Sequence, residues 1–132
     1  MKVRRHARII SLQALFEIDT VNHDPLVVMQ ERLRENALPT VGESFARALL
    51  FGVLENLDAL DELIRRTAPD WPIDQLAAVD RNILRLAAYE LMVDVGTPAK
   101  VAINEGVELA KLFGSDSSSR FVNGVLGTLL AH

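Results

Sequence analysis

Lys2, Arg4, Arg5 and Arg8 stand within the first eight residues, and the first carboxylate, Glu17, comes well after them. The guanidinium fork of arginine makes paired hydrogen bonds to phosphate oxygens. Arg4 and Arg8 are spaced i, i+4, so on a helix they share a face with Arg5 beside them. Several cations can then reach one phosphate backbone. A flexible polyanion is the ligand such a cluster would gather, and a solvated basic terminus is the bland alternative. The formal charge of the whole chain, −4, does not decide between them. Screening confines a local field to a Debye length of about 10 Å.

Single-stranded nucleic acid also needs planar surfaces on which bases stack. Phe113 and Phe121 flank the turn from Gly114 to Arg120, and Lys111 and Arg120 add positive charge beside them. This turn is expected to lie near the N-terminal helix and complete a nucleic-acid surface; the other reading puts both rings in the core. Asp80, Arg81 and Glu90 form a second charged set, suited to a partner protein. Pairing within a helix is the alternative, since Arg81 and Arg85 stand i, i+4 and Asp80 lies one turn from Leu84. Trp71, between Pro69 and Pro72, is either a plug over the bundle end or a partner anchor.

Other chemistries find little support. Without cysteine, a disulfide framework, a thiolate zinc site and a cysteine nucleophile are excluded. There is no P-loop, nucleotide-binding glycine motif or HExxH, so no catalytic residues and no cofactor are expected. Asn104 and Glu105 fit mid-helix hydrogen bonding better than catalysis, and Asn123-Gly124 fits a close helix approach. His6, His23 and His132 are far apart and no two are spaced i, i+4, so no metal site is expected. No apolar run reaches the roughly 18 residues that cross a bilayer, and the basic start lacks the form of a signal peptide. A cytoplasmic location without membrane contact is the default. Overall acidity and the lack of a helix-turn-helix recognition segment count against a duplex DNA regulator.

The elements that must carry these residues are helical. Hydrophobic residues make up 49% of the 132 and aromatics only 5%; alanine and leucine supply the apolar content, which favours helix packing over a sheet. A first helix is expected from Val3 to Thr20 on the stripe Ala7, Ile10, Ala14 and Ile18, widened by Leu15 and Phe16. Asp24-Pro25 opens a second, to about Glu35. Thr40 and Glu43 have capping-box spacing and begin a long segment striped by Phe45, Leu49, Val53, Leu57, Leu60 and Ile64, with Gly52 as a point of bending or close contact. Asp74 is the expected cap of the next helix, whose face carries Leu76, Val79, Ile83 and Leu86. Thr97-Pro98 repeats the cap-then-proline pattern before a stripe of Ile103, Val107 and Ala110. Gly114 is expected in a left-handed conformation. Ser115 or Asp116 then caps a last helix bearing Val122, Val125, Leu126 and Leu129. The expectation is one all-α domain over residues 1–132, a compact bundle of six or seven helices.

Several stretches resemble one family. Val79–Leu91, reading VDRNILRLAAYEL, resembles the NusB pattern of an acid and a base before an I-L-R-L-A-x-Y-E-L run. Pro98–Gly114, PAKVAINEGVELAKLFG, is similar to the family's most recognisable segment, and Phe121–Leu126, FVNGVL, to its final-helix signature. RRHARIISLQALFEID resembles the family's basic opening helix, and FARALLFGVLENLDALDELI also fits. The chain departs from the pattern before the last helix, where Asp116 matches the first of an acidic pair and Ser117 replaces the second. Serine can still cap a helix. The resemblance implies a NusB-like fold and a cytoplasmic transcription antitermination factor that is not an enzyme. It implies binding to single-stranded boxA RNA in ribosomal RNA leaders, and a heterodimer with NusE, a small-subunit ribosomal protein, which Asp80 would meet. It implies indirect contact with other Nus factors and RNA polymerase, and it leaves a homodimer open. The rival is a helical protein-interaction module without RNA binding.

Overall fold

In the computed structural model, residues 2–94 and 96–131 are described; they form seven α-helices and no strand. His132, weighed above as a metal ligand, lies outside them. The helices are α1 (Val3–Val21), α2 (Pro25–Glu35), α3 (Thr40–Glu55), α4 (Leu57–Thr67), α5 (Ala78–Met92), α6 (Ala99–Phe113) and α7 (Ser118–Ala131), with one 3-10 turn over Ile73–Gln75. Their packing divides the chain into two units, Met1–Gly52 and Val53–His132.

In the first unit, Ala7, Ile10 and Ala14 of the expected α1 stripe are buried, with Leu15 beside them, while Ile18 is only half-buried and Phe16 is exposed. Asn22 ends α1 in the left-handed region (φ 56°), a conformation asparagine tolerates. The Asp24 carboxylate then accepts from the Val27 N–H at 3.3 Å, and Pro25 opens α2. Glu17 on α1 receives His23 Nδ1 at 2.7 Å and the Arg32 guanidinium at 3.1 Å, which ties α1 to α2. The hydrogen bond from His23, with Arg32 adding to it, holds the Glu17 carboxyl below its ordinary range. The buried Ser11 hydroxyl donates to the Ala46 carbonyl at 2.9 Å and ties α1 to α3.

In the second unit, α5 packs against α4, α6 and α7. Every residue from Asn82 to Ala88 is buried. Gly106 permits a close approach of α5, α6 and α7: a Cβ there would stand 3.1 Å from Leu126 Cδ1 and 3.2 Å from Ala87 Cβ. Arg85 makes a two-point bond to Asp61 of α4, at 2.7 and 2.8 Å, and a further bond to Asn82 Oδ1 at 3.1 Å. Burial pushes the Tyr89 phenol up, with Asp94, Glu55 and Glu90 adding to the effect.

Local expectations need correction at several points. The long third segment is two helices, broken at Asn56 and not at Gly52: the Asn56 N–H reaches back to the Val53 carbonyl, a tighter turn, before α4 begins. Val53 and Leu60 are seven residues apart, two turns, so the stripe keeps its phase and conceals the break. Glu43 pairs with Arg47 at 3.1 Å, an alternative to the expected capping box. Asp74 does not cap α5. It lies in the 3-10 turn, and α5 starts at Ala78 without a side-chain cap. Thr97 does not cap α6, because its hydroxyl donates to Glu90 Oε1 at 3.0 Å. On α6 the fully buried positions are Ala102, Gly106, Leu109 and Ala110, with Ile103 and Val107 only half-buried. Gly114 is extended (φ −90°) rather than left-handed. A Cβ there would meet Ser118 at 2.5 Å, so close approach is what requires glycine. Gly124 shows the reverse: a Cβ there would have nothing within 4 Å, so close helix approach does not explain it.

Candidate nucleic-acid interface

The first unit gathers its cations around a ring. Arg4 Cζ lies 4.6 Å and Arg8 Cζ 5.1 Å from the centroid of Phe45 on α3. The i, i+4 spacing of the two arginines is what lets both reach it. Gly42, one turn before Phe45, lets the start of α1 come this close: a Cβ there would stand 2.5 Å from Val3 Cγ1. Lys2 and Arg4 are exposed and Arg5 is half-buried. Among the described residues, no carboxylate pairs with Lys2 or Arg4. Arg8 differs. It is 3% exposed, so its guanidinium braces the Phe45 ring and is not presented to solvent. Its place in the phosphate-facing set is corrected accordingly.

The second unit holds an aromatic cleft. Phe121 meets Trp71 edge to face, with ring centroids 5.6 Å apart. Trp71 is 57% exposed, so one side packs on Phe121 while much of the indole faces solvent. On one side of the ring pair, Asp80, Ser117 and Arg120 help line a cleft of about 380 Å³. Asp80 Oδ1 is buried and, among the described residues, has no hydrogen-bond partner. A second cleft, of about 400 Å³, is also lined by the ring pair, with Pro69, Arg120 and Gly124. Phe113 is 39% exposed and Phe121 half-buried, so neither is fully core. Lys111 is exposed and reaches Glu108 at 3.5 Å.

The charged trio read as a partner surface is not brought together. Arg81 donates from Nη1 to the carbonyls of Ile73 and Leu76, at 3.3 and 3.2 Å, and so holds the 3-10 turn onto α5. Glu90 is 2% exposed and accepts the Thr97 hydroxyl. Glu90 is corrected to an internal role, Arg81 is half-buried with its Nη1 turned onto the 3-10 turn, and of the three it is Asp80 that lines the cleft. Sequence reasoning placed Phe45 in a core stripe and gave Gly42 no role. Their partners are far away along the chain, and no local spacing signals them.

The NusB family model matches residues 5–131. The chain belongs to the NusB family. The transcription antitermination protein NusB of Roseiflexus sp. (strain RS-1) is 52% identical over 131 residues, covering 98% of this chain and 92% of the relative. Among solved structures, T. maritima NusB superposes with a TM-score of 0.91 at 36% identity, covering 98% of this chain and 91% of that one. A crystal structure of the antitermination factors NusB and NusE in complex with dsRNA contains a chain with a TM-score of 0.91 at 26% identity, covering 99% of this chain and 98% of that chain. The all-α fold and the resemblance read from the NusB-like motifs are thereby established, and the helices just described are those of the family.

Proposed function

We propose that this transcription antitermination factor of the NusB family is a cytoplasmic RNA-binding adaptor: a single domain over residues 1–132 that takes up single-stranded boxA RNA of ribosomal RNA leaders together with NusE. One observation carries the reading. The opening turn of α1 presents Lys2 and Arg4 to solvent with no carboxylate among the described residues to neutralise them, although the chain as a whole is acidic. Cations left over in this way are what a polyphosphate can use, since it releases its own condensed counterions on binding. The solved complex of a related NusB with NusE and dsRNA supports RNA as the class of ligand and NusE as the partner.

In this reading Lys2, Arg4 and Arg5 hold the phosphate backbone. Lys111, Phe113, Arg120 and Phe121 add charge and stacking surface, and Asp80 receives a basic group of NusE. The NusE pair then joins other Nus factors on RNA polymerase.

The test is the affinity of a short labelled boxA-type single-stranded RNA across a salt series, with and without NusE, with the protein's mass in solution recorded alongside. Binding with a steep salt dependence is expected. Each phosphate neutralised on a single strand adds roughly 0.7 to the log–log slope, so replacing Arg4 and Arg5 together by alanine should flatten it by about 1.4. No RNA binding under either condition would favour the helical interaction module instead.

A further inference from the structure

Phe45 is an odd residue to find beneath two cations. It sits on α3, is half-buried, and has Arg8 sealed against it while Arg4 stays at the surface. A guanidinium on an aromatic ring keeps its charge and its hydrogen-bond donors but loses much of its rotational freedom. Arginine planes are also surfaces on which unstacked bases pack. Arg4 combines the two properties: it is oriented by a ring and has no carboxylate partner among the described residues.

We propose that Phe45 is a positioning residue for RNA, holding the Arg4 guanidinium as a rigid planar cation that receives one nucleotide, with the phosphate on its N–H fork and the base against its plane. Gly42 serves the same end, because it leaves room for Val3 Cγ1, which a Cβ there would meet at 2.5 Å, at the helix start that carries Arg4. The inference rests on the RNA-binding reading above and adds a residue from outside the basic helix to it.

Fluorescence anisotropy of the full-length chain with labelled boxA-type single-stranded RNA tests it. The variants are Phe45→Leu, Phe45→Tyr, Arg4→Lys and the double variant Phe45→Leu/Arg4→Lys, with each fold checked by circular dichroism and melting. Phe45→Leu keeps apolar bulk but removes the ring, and Arg4→Lys keeps the charge but removes the plane. Each should weaken binding about two- to fivefold, the scale of a solvent-exposed cation–π contact. The double variant should be no worse than either single one, and Phe45→Tyr should bind as the parent does. A purely structural role for Phe45 would leave Arg4→Lys, at an exposed position, without effect. Parent-like binding by Arg4→Lys would overturn the proposal even if Phe45→Leu failed to fold. So would losses that simply add in the double variant. If the parent chain itself binds no RNA, the functional reading fails and takes this inference with it; if the parent binds and the variants match it, only the inference is lost.

Discussion

Arg4 in the first unit and Arg85 in the second are the same side chain held in opposite ways. Arg85 is nearly buried, its fork closed on both oxygens of Asp61 and a further N–H on Asn82. Arg4 lies exposed on a phenyl ring that takes none of its hydrogen bonds. A cation neutralised inside the molecule stabilises a fold, and one merely oriented by it remains available to a ligand. Formal charge summed over the chain cannot distinguish these cases. The pairing of each guanidinium does.

The sharpest break in this contrast comes from Asp61→Ala. Removing one partner of a buried pair strands the other charge, so stability should fall by about 3–5 kcal/mol, as measured by denaturant unfolding, while the salt slope of RNA binding in the folded protein stays unchanged. A parallel fall in the slope would mean that the Arg85–Asp61 pair supports RNA binding as well as the fold. Next in size is Gly106→Val, which overpacks the junction of α5, α6 and α7. A loss of about 1–3 kcal/mol is expected in the same measurement, and no loss would show that the junction has slack.

Smaller effects belong to the first unit. Asp24→Ala removes the cap of α2 and should cost about 1 kcal/mol, read as a lower unfolding midpoint. Smallest is a pH effect. Glu17 is held below its ordinary value of 4.5, so its contribution is complete above that value and disappears as pH falls through the lower folded pKa. Melting temperatures recorded from about pH 6 down to pH 3 should therefore decline less steeply in His23→Ala, which lacks the main cause of the shift. An unchanged acid limb would show that the exposed His23 contact contributes nothing.

Much of the fold was legible because helical period is a local property. The stripes of α1 and α7 and the Asp24-Pro25 start were all fixed by residues within a few turns of one another. What escaped were outcomes of competition at a distance. Thr97 could have capped α6 by its position, but buried Glu90 needed a donor and took the hydroxyl. Gly114 looked like a left-handed terminator, whereas the constraint was the approach of Ser118. The candidate site divides in the same way. Its cations stand together in the sequence and could be found there. Phe45, which both Arg4 and Arg8 approach, belongs to another helix and has the spacing of an ordinary core residue.

The tight meeting of Gly42 with Val3 carries an implication for divergence among homologues. A larger residue at the glycine position requires the valine side chain to turn away or shrink, so the two sites should change together more often than apart. An alignment in which they vary independently would mean that the helix start can slide.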